Sequence, residues 1–181
     1  AKKLKDKFSA LGPRFVNVNK KSHKQSDRKK TVANINAVHG SAMFINKAKF
    51  NLIGGIDEKI FLYFEENDYC RRGKEMNLNA FQLNKIIIRK KGQTVEFDRK
   101  KEQLDLQNLL SWHFIWSKFY FSQKKNGRFI SIIIFLPILL RIILKIFYFK
   151  IIKEKKKITK YKYRYKGLIA SMKGKKSYLR L

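Results

Sequence analysis

One cysteine, Cys70, occurs in the whole chain of 181 residues. That excludes an internal disulfide framework and any cysteine-built zinc site, and it makes a reduced compartment the default. Acidic residues are scarce as well: 13 Asp and Glu stand against 43 Lys and Arg, a net charge of +30. The front of the chain lacks a charged n-region followed by a small-residue cleavage site, so nothing there reads as a signal peptide. The first residue is Ala, and a piece of a longer polypeptide is the expectation. The length suits one ordinary domain with a sizeable core. The excess of positive charge calls for an anionic partner: nucleic acid, an acidic membrane surface or a phosphorylated substrate, and charge alone does not choose among them. Heavy use of Lys, Ile and Asn also looks like an AT-rich coding bias, which discounts part of the charge.

Against that scarcity, the acids that exist are concentrated. Asp57, Glu58, Glu65, Glu66 and Asp68 place five of the 13 within twelve positions, around the aromatic run of FLYFEENDYCRR. Residues 1–31 read as a loop or truncated segment, with KKSHKQSDRKK polar throughout. VANINAVHGSAMFI, from Val32, reads as a strand or two around a turn-permitting HGSA. A short helix from Asn46 to Phe50 follows, then Gly54 and Gly55, where the backbone needs positive φ or close approach. Glu66 to Met76 fits a helix with acids in its first turn and Arg71, Arg72 and Lys74 later, the polarity the macrodipole prefers. Asn77 ends it in the left-handed conformation, and Asn79 to Arg89 reads as a strand. The order is α/β in type, with too few strands for a complete sheet.

From Asp105 to Gln123 the apolar positions 106, 109, 110, 116 and 120 keep a helical spacing. Residues 129–149, FISIIIFLPILLRIILKIFYF, form the longest apolar stretch, as long as the ~20 residues that cross a bilayer. Arg141 and Lys145 lie four apart on one face, and Pro137 can kink the middle. Both flanks are basic, so charge assigns no orientation, and a helix lying in the cytoplasmic interface is favoured over one that spans. The basic tail from Lys150, with its tyrosines in KYKYRYK, reads as an anionic-lipid contact or as a solvated disordered segment.

Several motifs recur in order over about thirty residues: Gly40, Ala42 and Met43 in a strand; Gly54, Gly55, Asp57 and Glu58 as GGIDE; Phe61, Tyr63 and Phe64; then Glu65, Glu66, Asp68, Cys70 and Arg72. Together they resemble the C-terminal half of the catalytic domain of bacterial glycosyltransferase family 2, in its rhamnosyltransferase-like branch. Trp112, His113, Trp116, Ser117, Phe119 and Tyr120 are similar to the WH-x-x-WS-x-FY segment of some of these enzymes, and YKGLIASMKGKKS to their closing segment.

The resemblance implies the C-terminal, acceptor side of a GT-A nucleotide-sugar transferase domain over residues 32–104, followed by a membrane-associated helical region with a basic tail over 105–181. It implies inverting transfer of a sugar, rhamnose among the candidates, from a nucleotide-diphosphate sugar to a lipid-linked or polysaccharide acceptor, at the cytoplasmic face of the bacterial inner membrane. Glu66 falls on the family's general base. A carboxylate at a helix start keeps its charge and accepts a proton from a hydroxyl within hydrogen-bond distance. Asp68 would orient the acceptor or stiffen Glu66, with Glu65 beside them and Asp57 ordering its loop. His39, Gly40, Arg72 and Arg89 are further substrate-side candidates, and Trp112, Trp116, Arg141 and Lys145 are membrane-side candidates. Helix capping and first-turn acid preference account for the same acids without catalysis. Arg72 fits an ion pair to Asp68, Cys70 a buried small residue, and His39 and His113 packed histidines.

Two departures from the family pattern matter. Its metal-binding Asp-x-Asp is absent, so the Mg or Mn ion expected for the complete enzyme has no ligands in this chain, and the donor-binding strands are expected upstream. Where the family often has a metal-assisting His, the sequence has Arg89, which cannot ligate a metal but can stabilise a departing diphosphate. Two competing classes are a nucleic-acid-binding protein, which the isoleucine-rich stretch argues against, and a non-catalytic membrane-anchored assembly protein.

Overall fold

A computed structural model describes residues 7–16, 30–89 and 99–180. Most of the stretch KKSHKQSDRKK, and residues 90–94 after Arg89, lie outside the described residues. The chain divides into two compact units, Ala1–Asp57 with Glu65–Thr94 and Glu58–Phe64 with Val95–Leu181.

The first unit is mixed α/β. Its strands are β1 (Phe8–Val16), β2 (Val32–Ile35), β3 (Phe44–Ile45) and β4 (Asn79–Arg89), and its helices are α1 (Lys47–Ile53) and α2 (Glu65–Glu75). The open sheet runs β2-β4-β1-β3, with β1 parallel to β4 and the outer pairs antiparallel. β4 covers the apolar run that predicts it. β1 corrects the expectation of a loop over residues 1–31: it is an interior strand whose first five residues, Phe8 to Gly12, are buried. Its small residues and Pro13 disguise it, since proline donates no ladder hydrogen bond and usually marks an edge. The sheet accommodates it with a register shift between Pro13 and Arg14.

The core of this unit gathers Ala10, Val38, Ile53, Tyr69, Cys70, Leu78 and Ala80. α2 ends as its sequence predicts: Asn77 takes φ 60°, and the Leu78 N–H donates to Gly73 O at 2.8 Å, a left-handed cap.

The second unit is three helices, α3 (Lys100–Asn126), α4 (Arg128–Ile151) and α5 (Lys155–Met172), with the segment 58–64 laid on α3. Ile115, Phe119, Phe135, Ile142 and Leu168 form its core. α5 shows the basic stretch from Lys155 to be a helix and not a disordered segment. Lysines alternating with tyrosines in KYKYRYK give a period of two that hides the helical stripe, yet Tyr161, Arg164, Leu168 and Ser171 recur at helical spacing on the inward side. Trp112 and Trp116, expected at the membrane, are instead 1% and 3% exposed. Both belong to a buried cluster with Ala170, because the indoles fill the space beside α5.

The α3–α5 contact depends on Gly167. A Cβ there would lie 2.6 Å from the Trp112 carbonyl oxygen and 3.0 Å from Ile115 Cγ2. Alanine gains about 1 kcal/mol in helix propensity over glycine, but backbone cannot yield as a side-chain tip can, and overpacking costs about 1–3 kcal/mol. Gly167→Ala is therefore expected to lower the urea midpoint of the full chain. A raised midpoint would show that α5 shifts freely on α3.

α4 runs through Pro137 and is the one described helix long and apolar enough to cross a membrane; Ser131, Phe135 and Ile142 are its buried residues. Ile133, Leu136, Leu140, Leu144, Phe147 and Ile151 are exposed along it. Arg141 is exposed too, whereas Lys145 turns inward and donates to the Tyr161 hydroxyl at 2.8 Å. The aromatic run before α2 is anchored on α3. The Ser117 hydroxyl donates to Leu62 O at 2.7 Å, and Phe64 packs on Phe114 and Phe121. Tyr63 and Phe64 adopt φ 67° and 72°, a conformation that bulky side chains rarely take and that costs of order 1–2 kcal/mol each.

Candidate active site

Helical periodicity fixes where Glu66 sits. Glu66, Tyr69, Cys70 and Gly73 are i, i+3, i+4 and i+7, one face of α2, and the last three are buried in the core of the first unit. Glu66 occupies the open N-terminal end of that face and is half-buried. The opposing chain is the segment Val38–Gly40. A Cβ built on Gly40 would stand 3.5 Å from the Glu66 carboxyl carbon, so glycine lets this backbone lie against the carboxylate. The Gly40 N–H donates to that carboxylate, as does the N–H of Glu66 itself.

Burial pushes the Glu66 carboxyl above its ordinary value of 4.5. The two backbone donors pull it down, the neighbouring Glu65 pushes it up further, and the net direction is upward. One turn on, burial also raises the Cys70 thiol, with the Glu66 charge adding to it, against a backbone hydrogen bond from Val38. Cys70 is thus a protonated core residue. Glu65 is half-buried, and its Oε2 is inaccessible without a hydrogen-bond partner among the described residues.

His39 stands beside Gly40. Its Nδ1 accepts the Ser41 N–H at 3.2 Å and lies 2.8 Å from the Ser41 hydroxyl, which places a neutral ring's proton on Nε2. The Phe15 ring packs on it at 4.6 Å. Phe15 and Ser41 escape sequence reasoning: the first lies on the disguised strand β1, and the second is a turn serine with no distinguishing signal.

Asp68 is placed differently. Its side chain is fully buried, with Oδ2 2.9 Å from Arg72 Nε and Oδ1 3.2 Å from Arg71 Nη2. The ion pair expected between Asp68 and Arg72 is present. Arg72 then continues across, donating to the Ile53 carbonyl and, at 2.5 Å, to the Gly55 carbonyl. Gly54 and Gly55 have φ 88° and 63°, the positive values their pairing predicts. The carboxylate and guanidinium thereby tie the GGIDE loop to α2, and Asp57 follows directly as a half-buried residue. Arg89 closes β4 and is exposed. Trp112, Trp116, Arg141 and Lys145 all belong to the helical unit.

The structure thus sets Glu66 against Gly40, with His39 the next residue in the chain, and joins Asp68, Arg72 and the glycine pair in a second cluster. Among the described residues no group of three or more His, Cys, Asp or Glu could hold a metal ion. These side chains do not fit a resident divalent cation, and no step below is routed through one.

The chain is similar, at 38% identity over 52 residues, to the low-salt glycan biosynthesis hexosyltransferase Agl10 of Haloferax volcanii. The match covers 29% of this chain and 17% of that relative, so the chain spans a minor part of its length. No family model and no solved structure matches the chain. The similarity is to a sugar-transferring enzyme, distant and partial.

Proposed function

We propose that this chain carries the acceptor side of an inverting, GT-A type sugar transferase in which Glu66 is the general base. The observation that carries the reading is the Glu66 carboxylate itself. It stands at the open end of a core-facing helix stripe, oriented by the Gly40 amide and raised in basicity by burial. In the reaction, the acceptor hydroxyl oxygen attacks the anomeric carbon of a nucleotide-diphosphate sugar. The new glycosidic bond forms as the bond to the diphosphate breaks, the nucleoside diphosphate leaves with that electron pair, and the hydroxyl proton passes to Glu66. Glu65 and His39 would line the acceptor's approach, with Asp57 and Arg72 holding the loop beside it and Arg89 available to the departing diphosphate. Asp68 is assigned a positioning role, because both of its oxygens are committed to arginines. Similarity to a hexosyltransferase supports the class of reaction; the donor sugar, rhamnose among the candidates, is not fixed by it.

The acceptor we favour is a lipid-linked glycan at the cytoplasmic face of a bacterial inner membrane. The exposed apolar side of α4, with lysines and arginines at both ends, supports an anionic membrane surface as a partner, by insertion or by lying in the interface. A nucleic-acid groove would have no use for that apolar surface.

The test supplies the polypeptide, with its donor-binding half in place, to membranes bearing lipid-linked glycan and to a panel of labelled nucleotide-diphosphate sugars. Transfer to the lipid fraction is expected, with kcat falling on acidification through a pKa above 4.5, since only the ionised carboxylate takes a proton. No transfer from any donor, or a rate flat across that range, would remove the proposal.

A further inference from the structure

The helical unit contains a cleft that the transfer reaction does not use. It has a volume of about 600 Å³ and lies among the C-terminal half of α3, residues 58 and 59, and the turn that follows α5. Ligand sites are commonly of this size, about 300–1,000 Å³. Its walls combine two kinds of group. Trp116 and Tyr120, stacked at 5.1 Å between ring centroids, form an aromatic side. Lys59, Lys175, Lys176 and Arg180 supply positive charge, against one carboxylate among the described lining residues, Glu58.

The positions of those cations are built by the fold. Gly174 takes φ 71° after α5, and the Lys175 N–H returns to Ala170 O at 2.9 Å, which reverses the chain. The Trp116 indole N–H donates to Lys175 O at 3.0 Å, and the Ser171 hydroxyl donates to Trp116 O at 2.9 Å. Beyond the turn, buried His113 holds the tail: it receives the Ser177 hydroxyl on Nδ1 at 2.9 Å and donates from Nε2 to Leu179 O at 2.8 Å. Burial lowers the pKa of this histidine, so it serves as a neutral clamp. Arg180 lies 3.7 Å over the Phe61 ring, with its Nη1 on the Ser177 and Leu179 carbonyls. The six-residue stretch 175–180, with two lysines and an arginine, is thereby held beside an aromatic wall.

We propose that this cleft binds a phosphate ester or diphosphate carried on a hydroxylated headgroup. Several cations around one small volume suit a multiply charged phosphate better than a single carboxylate. The stacked Trp116 and Tyr120 rings supply an aromatic wall, and Glu58 an acceptor for hydroxyls. A cleft of this volume takes one headgroup, whereas a nucleic-acid chain needs a continuous basic groove. The phosphate could belong to a glycan or to a membrane lipid. The site deepens the partner class of the proposed transferase without depending on Glu66, and its test reads binding alone.

The probe is inorganic pyrophosphate, titrated into the full chain while tryptophan emission is followed, since Trp116 lines the cleft. A saturable change is expected in the unmodified chain and equally in Glu66→Gln. The exposed pair Lys175→Gln/Lys176→Gln should weaken binding at least about tenfold, as loss of charge-assisted hydrogen bonds implies. Lys162→Gln/Lys166→Gln, which removes the same charge from α5 outside the cleft, should leave it unchanged. Circular dichroism checks that both variants fold. Displacement by glucose 1-phosphate assigns the phosphate to a glycan, and displacement by phosphatidylglycerol vesicles but not by phosphatidylcholine vesicles assigns it to a lipid; each sustains the site. Absence of saturation, or equal weakening in the two lysine pairs, would overturn it.

Discussion

Glu66→Gln is expected to lower kcat for sugar transfer by about 10²–10⁴-fold, the usual contribution of a positioned general base, and to leave the fold as stable as before or more so. Burial raises the Glu66 pKa, so the folded state holds the proton more tightly than the unfolded chain does. Its stabilising contribution is complete below the ordinary carboxyl value and is lost as pH rises through the higher folded value. At neutral pH the ionised carboxylate is thus held at a cost. Glutamine removes the charge and keeps an oxygen for the Gly40 amide. A rise or no change in the thermal midpoint at pH 7, with kcat lowered by that factor, is the signature of a residue retained for chemistry. A capping acid would behave in the opposite way: the midpoint would fall and transfer would survive, which would end the assignment of Glu66 as base.

The elements legible in the sequence are those whose signals are local. α2 follows from its first-turn acids and the left-handed Asn77, β4 from the apolar residues of NAFQLNKIIIR that end in Ile86, Ile87 and Ile88, and the α1–α2 loop from Gly54 and Gly55. β1 and α5 were hidden for opposite reasons. β1 is an interior strand built of small residues with a proline, so it carries little hydrophobic signal of its own and depends on β4 for its place. α5 has a strong pattern of the wrong period, and it becomes a helix because α3 and α4 offer a surface to its inward side.

The same division runs through the candidate site. Glu66 stood out because carboxylates are rare in so basic a chain, and the Asp68–Arg72 spacing announces an ion pair. The onward bonds of Arg72 to Ile53 and Gly55, across 19 and 17 residues, have no local signal. The Phe15–His39 contact was lost together with β1. The Trp112 and Trp116 pair shows a further limit of pattern reading: aromatics beside an apolar stretch look interfacial until a second helix, unseen in the sequence, covers them.

Asp68→Ala should have the largest effect on stability, about 3–5 kcal/mol, the cost of removing one partner from a buried charge pair. The Asp68 side chain is 0% exposed, and the Arg71 and Arg72 side chains are 19% and 18% exposed. Neither guanidinium can turn fully to water without breaking what it holds. Arg71 also pairs with Glu75 at 2.5 Å and keeps a partner. Arg72 is the vulnerable one, because its remaining bonds are to the Ile53 and Gly55 carbonyls. A charge left there on neutral acceptors pulls the glycine loop with it as it seeks water. Asp68→Asn retains the shape and one acceptor oxygen for Arg72, so a smaller loss is expected. Urea unfolding of the full chain measures both. The same pair separates positioning from chemistry: at a temperature where Asp68→Asn remains folded, the acid limb of the transfer rate should stay where Glu66 sets it. A shift of that limb with no loss of stability would make Asp68 part of the proton transfer rather than its support.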